Sequence, residues 1–283
     1  MPPVWAKGAV ATVRGKSLPL GLPRPGRLYK PTKTLALRAG ARPPLSHREP
    51  IFNVPGVVLA LLALFFAVHM VRWALPPEQD AWWTAALAFI PARCCGLAAD
   101  LPGGDIATVT SYVTHLFVHG DLTHLMINSA WLLAFGTPVA RRTATWRFVA
   151  FFAFTGIAGA LLYLTVNGGV LTLMVGASGA ISGLMGAAFR FVFRGLEARG
   201  AWAFVRNAPR IPLASLADTL RDRRIATAIA AWTVLNVVLA MGALGGLTDA
   251  AGIAWEAHLG GFYAGLLLFG LFDRPPSDDP QPI

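Results

Sequence analysis

Four polar side chains embedded in apolar stretches are the residues that could do chemistry. Ser178 lies in Val175-Gly-Ala-Ser-Gly-Ala180, His258 in Trp255-Glu-Ala-His-Leu-Gly-Gly261, and His124 and Asn128 in Thr123-His-Leu-Met-Ile-Asn128. A serine hydroxyl becomes a useful nucleophile once a base accepts its proton. His258 is the only histidine in the second half of the chain, which makes it the natural base. Acyl transfer also needs donors aimed at the oxyanion that forms as the carbonyl is attacked. His124 and Asn128 can each supply an N–H, joined by the backbone N–H of Ser178 at the start of its helix. The chemistry this set suggests is hydrolysis through a Ser178–His258 dyad, with His124 and Asn128 at the oxyanion.

Composition decides which solvent surrounds these groups. Of 283 residues, 55% are hydrophobic and only 13% are charged, about half the charged share of ordinary soluble domains. The apolar residues fall in runs of about 20, the length a helix needs to cross hydrocarbon, near 54–75, 122–140, 146–166, 173–193, 225–245 and 252–272. Backbone groups in lipid must be paired within each segment. The expectation is therefore an all-α, polytopic membrane protein built as a six-helix bundle over residues 51–273. Residues 1–50 form a basic tail without expected structure, and 274–283 a short C-terminal tail.

Charge placement predicts the orientation. Residues 1–50 carry ten Lys and Arg against one acid, Glu49. Arg141, Arg142 and Arg147 follow the second run and seven arginines occupy 194–224, whereas the longest opposite loop holds Glu78, Asp80, Asp100 and Asp105. The positive-inside rule then puts both termini in the cytoplasm, as in a bacterial inner membrane. Topology accounts for the formal charge of +10 without nucleic acid as a partner. Cys94 and Cys95 are adjacent, which supports neither a disulfide framework nor a four-ligand zinc site; no cofactor or metal is expected.

The same topology predicts that the four residues meet. The second, fourth and sixth runs all descend from the outer side. Asn128 precedes Arg141 by 13 residues, Ser178 precedes Arg190 by 12 and His258 precedes Asp273 by 15, each roughly 18–22 Å of helix. His124 stands one turn above Asn128 on the same face. Ionisable groups at such depth are costly and mark function or pairing.

These motifs resemble those of the rhomboid family of intramembrane serine proteases. Gly176-Ala-Ser178-Gly179 is similar to the family's GxSG nucleophile motif, and Ala257-His258-Leu-Gly-Gly261-Phe-Tyr-Ala-Gly265 to its AHxxGxxxG base helix. His115, His119, His124 and Asn128 repeat its second-helix spacing. The resemblance covers about residues 50–272. It implies cleavage of single-pass membrane-protein substrates near a small residue, with the fifth helix and the outer loop helping to admit the substrate. In two places the chain departs from the pattern. Ser182 stands where many relatives carry an aromatic residue against the base, so another group must orient His258. Thr108-Val-Thr-Ser-Tyr112 replaces a Trp-Arg pair, so the outer loop needs another anchor.

Each motif also has a plainer meaning. Gly179 with Gly183, and Gly261 with Gly265, are small-residue pairs that let membrane helices pack closely. A lone serine in such a helix usually bonds its own backbone. His115 and His119 suit structural donors pinning the outer loop, Trp-containing 81–90 an interfacial element, His69 and Arg72 snorkelling side chains, and Asp121 and Glu256 solvated acids. A non-catalytic, client-binding rhomboid-like protein is the alternative, because fold does not fix activity. A transporter or haem protein would need intramembrane acids, broken helices or facing histidine pairs.

Overall fold

The computed structural model describes residues 54–195, 208, 211–240 and 253–273. The basic tail, the C-terminal tail and the remainder of the predicted fifth run lie outside them. The described residues are helical, with a single isolated β-bridge between Phe89 and Met174.

Helix α1 (Gly56–Trp73) is apolar apart from His69 and Arg72 near its end, and it stops ahead of Pro76 and Pro77. Pro77 then occupies the first turn of α2 (Pro77–Leu87), where its missing N–H costs nothing and Glu78 and Asp80 face the positive helix end. Trp82 and Trp83 of α2 are exposed, on the segment expected to lie at an interface. A short 3-10 turn (Pro91–Cys95) and α3 (Gly104–Thr114) complete the long loop.

The predicted run 122–140 is one helical path with a defect. Helix α4 (Leu122–Trp131) passes through a π-turn (Leu132–Gly136) into α5 (Thr137–Arg142). Pro138 supplies the cause, because its ring excludes the carbonyl four residues earlier and removes a donor.

Helix α6 (Thr145–Asn167) is the longest of the described helices, and α7 (Ser178–Phe189) follows after ten residues that turn at Gly168 and Gly169, run extended and bend at Gly176. The run expected over 173–193 thus becomes helical only at Ser178. Val170, Met174 and Gly176 are instead hydrogen-bonded to the backbone of Ala92, Phe89 and His115. The chain continues through α8 (Leu216–Arg221), α9 (Arg223–Ala240) and α10 (Trp255–Leu268).

Helices α6, α7 and α10 form the centre, and glycine sets their separation. A Cβ on Gly261 would fall on the Gly179 carbonyl, and one on Gly265 on the Gly183 carbonyl. Gly159 meets the Ala257 carbonyl in the same way. These are backbone-to-backbone approaches that only glycine permits. The packing reading of the glycine pairs therefore describes what they do. A Cβ on Gly179 would meet the Ala257 carbonyl of α10 at 3.2 Å.

At the end away from Ser178, Arg142 is buried. It makes a two-point ion pair with Asp273 at 2.7 and 2.9 Å, donates to the carbonyls of Ala208 and Ile211, and lies over the Phe191 ring. A buried guanidinium is tolerable only with such full pairing. Among the described residues, two helices, α1 and α6, are long and apolar enough to cross a membrane, each with a mean hydropathy of 2.0.

Candidate active site

The start of α7 is where sequence and geometry converge. Gly176 has φ of 112°, in the left-handed region that favours glycine, and this bend turns the extended segment into the helix. Three connections hold the bend. Phe89 and Met174 exchange backbone hydrogen bonds of 3.0 and 2.9 Å, Gly176 N–H donates to the His115 carbonyl at 2.9 Å, and Tyr163 Oη pairs with Thr172 Oγ1 at 2.8 Å.

These contacts also identify the anchor that the altered Thr108–Tyr112 stretch required. Phe89 packs edge-on to Tyr112 at 4.8 Å, Thr114 Oγ1 donates to the Leu87 carbonyl at 2.8 Å, and Arg93 donates to the Ala85 carbonyl at 2.6 Å. The long loop between α1 and α4 and the approach to Ser178 are therefore one connected piece.

Ser178 Oγ lies 2.8 Å from His258 Nε2, although the two residues are 80 positions apart. Both are half-buried. The Gly–carbonyl contacts one turn below fix α7 against α10 and so fix this distance. On its other side, His258 Nδ1 lies 2.9 Å from Asn236 Oδ1 of α9. Trp232, one turn earlier on α9, has its ring centroid 6.3 Å from that of His258. Asn236 was not among the residues singled out from the sequence. Its signal was available: it is the one side-chain amide in α9.

His124 and Asn128 are brought to the same place. A Cβ on Gly176 would meet His124 Nε2 at 2.5 Å and Asn128 Nδ2 at 3.6 Å, so both side chains face the turn leading into Ser178. Asp121 caps α4 by accepting the His124 N–H at 2.8 Å, which sets the register of both. One N–H of the Asn128 amide donates to the His124 carbonyl at 3.2 Å, which leaves its second N–H to the site. The first N–H groups of α7, including that of Ser178, have no partner within the helix. The turn is thus lined by several donors.

Neighbouring polar residues depart from expectation in instructive ways. Glu256, expected in solvent, is buried and accepts a 2.8 Å bond from Asn167, joining the end of α6 to the start of α10. Arg72, expected to snorkel, pairs with Asp80 at 2.7 Å and donates to the His119 carbonyl at 2.7 Å. His115 pins its own helix end, with Nδ1–H donating to the Ser111 carbonyl at 2.7 Å. Burial holds its pKa down to about 4, so the ring is neutral at ordinary pH. His119 acts through its backbone carbonyl; its ring packs between Phe65 and His124. Among the described residues, no group of three potential ligands could hold a metal ion.

Comparison with known sequences decides the family. The family model of the Rhomboid domain matches residues 107–274, more than half of the chain, including His124, Asn128, Ser178, Asn236 and His258.

The chain belongs to the rhomboid family.

It is also similar to RHOMBOID-like protein 4 of Arabidopsis thaliana, at 28% identity over 163 residues. That alignment covers 56% of this chain and 33% of the relative, so the chain matches about a third of the relative's length. The rhomboid match begins within α3, so it takes in the His115 anchor, both oxyanion candidates, Ser178 and His258 together.

Proposed function

We propose that this rhomboid domain is an intramembrane serine endopeptidase that cleaves the transmembrane segments of single-pass membrane proteins. The observation that carries this reading is the 2.8 Å approach of Ser178 Oγ to His258 Nε2 beside the donor-lined turn. Nucleophile, base and donors within one short radius are what acyl transfer requires.

In this reading Ser178 Oγ attacks the scissile carbonyl carbon while His258 Nε2 takes the hydroxyl proton. The carbonyl oxygen becomes an oxyanion, which accepts hydrogen bonds from His124, Asn128 and the Ser178 backbone N–H. Collapse breaks the C–N bond, and the imidazolium returns its proton to the leaving amine. A water, deprotonated by His258, then hydrolyses the acyl-serine and restores both residues. Each donor is worth about 10- to 1,000-fold in rate in such sites.

The membrane setting belongs to the same proposal. The six spans correspond to α1, α4 with α5, α6, α7, α9 and α10. Large apolar side chains lie exposed around the outside, among them Leu59, Val149, Leu161, Val234 and Leu267, a surface that suits lipid better than water. The arginine-rich side is cytoplasmic, so Ser178 opens toward the outer face.

The test is cleavage in proteoliposomes holding a panel of single-pass substrates, with products mapped by mass spectrometry. Wild-type protein is expected to cut within or beside the transmembrane segment, and His258→Ala to cut nothing while remaining folded. Stoichiometric binding of those substrates by the wild type with no cleavage would replace the protease with a client-binding role.

A further inference from the structure

His258 needs an orienting group, and the position expected to supply one, Ser182, is a small buried side chain on α7. Helix α9 supplies contacts of another kind. The Asn236 side chain is buried, its Nδ2 donates to the Trp232 carbonyl at 2.8 Å, and its Oδ1 faces His258 Nδ1 at 2.9 Å.

Donor and acceptor accounting makes this arrangement directional. A carbonyl only accepts, so the bond to Trp232 commits the NH2 end of the amide and leaves the oxygen for the imidazole. An oxygen at Nδ1 requires the proton there, and a neutral ring then has its lone pair on Nε2. That lone pair faces Ser178 Oγ.

We propose that Asn236 is the positioning residue of the site, holding His258 with its proton on Nδ1 and its Nε2 lone pair on the Ser178 hydroxyl. The proposal rests on the protease reading and extends the dyad into a relay across three helices, α7, α10 and α9. It also makes the base depend on a peripheral helix. The outer half of α9 is held to α10 by two side-chain hydrogen bonds, Asn236 to His258 and Thr233 Oγ1 to Tyr263 Oη at 2.7 Å. If α9 leans away, the tautomer of His258 is no longer set.

Few chargeable groups compete for the imidazole. His124 acts on it across the site. On its own helix, Glu256 is bonded by Asn167 and Tyr263 by Thr233. Helix α7 contains no ionisable side chain, and those of α9 are Arg223 and Arg224 at its far end. Helix α6 contributes Tyr163, bonded to Thr172, and Arg147 at its far end.

The experiment measures the rate at which a fluorescent phosphonate labels Ser178 in the full chain between pH 5 and 9, for wild type, Asn236→Leu and Asn236→Asp, with thermal unfolding recorded alongside. Asn236→Leu is expected to label about 10- to 100-fold more slowly. Asn236→Asp is expected to recover most of the rate and to move the acid limb of the profile to higher pH, because a carboxylate stabilises the imidazolium. Asn236→Leu labelling at the wild-type rate overturns the proposal. So does an Asp variant that is slow with an unmoved acid limb, the pattern of an amide that only packs. Should Asn236→Leu fail to fold, the Asp variant decides alone. No labelling of folded wild type would instead overturn the protease reading, and this inference with it.

Discussion

The seam between α7 and α10 and the seam between α9 and α10 are built on different physics; the proposed Ser178–His258 dyad lies in the first, and its proposed positioning residue, Asn236, in the second. In the first, backbones touch through Gly179, Gly183, Gly261 and Gly265, close to Ser178 and His258, and Met185 and Phe189 of α7 pack on Phe262 further along. In the second, the contact is a side-chain strip of Ile225, Ile229, Phe262 and Leu266, which form one cluster with Met185 of α7. A groove of about 360 Å3 runs beside it, lined by Ile229, Ala230, Thr233, Val234 and Tyr263. The outward faces of Val234, Leu235 and Val237 are exposed. The Ser178–His258 distance is therefore held by close helix packing, whereas in the proposed arrangement the orientation of His258 depends on a single polar bond, that to Asn236, on a helix at the edge.

Breaking the first seam should have the largest effect. Gly261→Val drives a side chain into the Gly179 carbonyl, where backbone has no rotamer to give. The expected cost is at least about 3 kcal/mol, the upper end for overpacked sites, with loss of Ser178 labelling. A variant that unfolds at the wild-type temperature and labels normally would show that the seam is more compliant than its contacts imply.

Donors at the turn come next. His124→Ala and Asn128→Ala should each slow cleavage by about 10- to 1,000-fold while leaving the unfolding temperature close to wild type. Two unchanged rates would reassign both residues to packing around Gly176.

The second seam should be the most forgiving. Ile229→Ala removes part of the strip and is expected to cost about 2 kcal/mol, the low end for such truncations. Labelling should persist, because Ser178 and His258 are joined elsewhere. Loss of labelling there, with the protein still folded, would mean that α9 contributes to the nucleophile itself.

Much of this arrangement was legible in the sequence, for identifiable reasons. Helices over the apolar runs, and the convergence of Asn128, Ser178 and His258 near one turn, were expected from periodicity and charge placement. Long-range side-chain pairing was not. Asn236 was legible as a polar residue in an apolar run, but its partner 22 positions away depends on how α9 rotates against α10. Glu256 and Arg72 were misplaced for the same reason. Their neighbours Asn167 and Asp80 offer bonds that a residue-by-residue view of solvation leaves out. The break of the fourth run at Ser178 was written in Gly176, whose left-handed φ becomes evident only once the segment is tied to Phe89 and His115.

The central claim is that His258 activates Ser178. Its most direct test is labelling of the purified, folded chain by a fluorescent serine-reactive phosphonate, compared among wild type, Ser178→Ala and His258→Ala. The account predicts a labelled band in the wild type alone. Equal labelling of His258→Ala, or none in well-folded wild type, would contradict it.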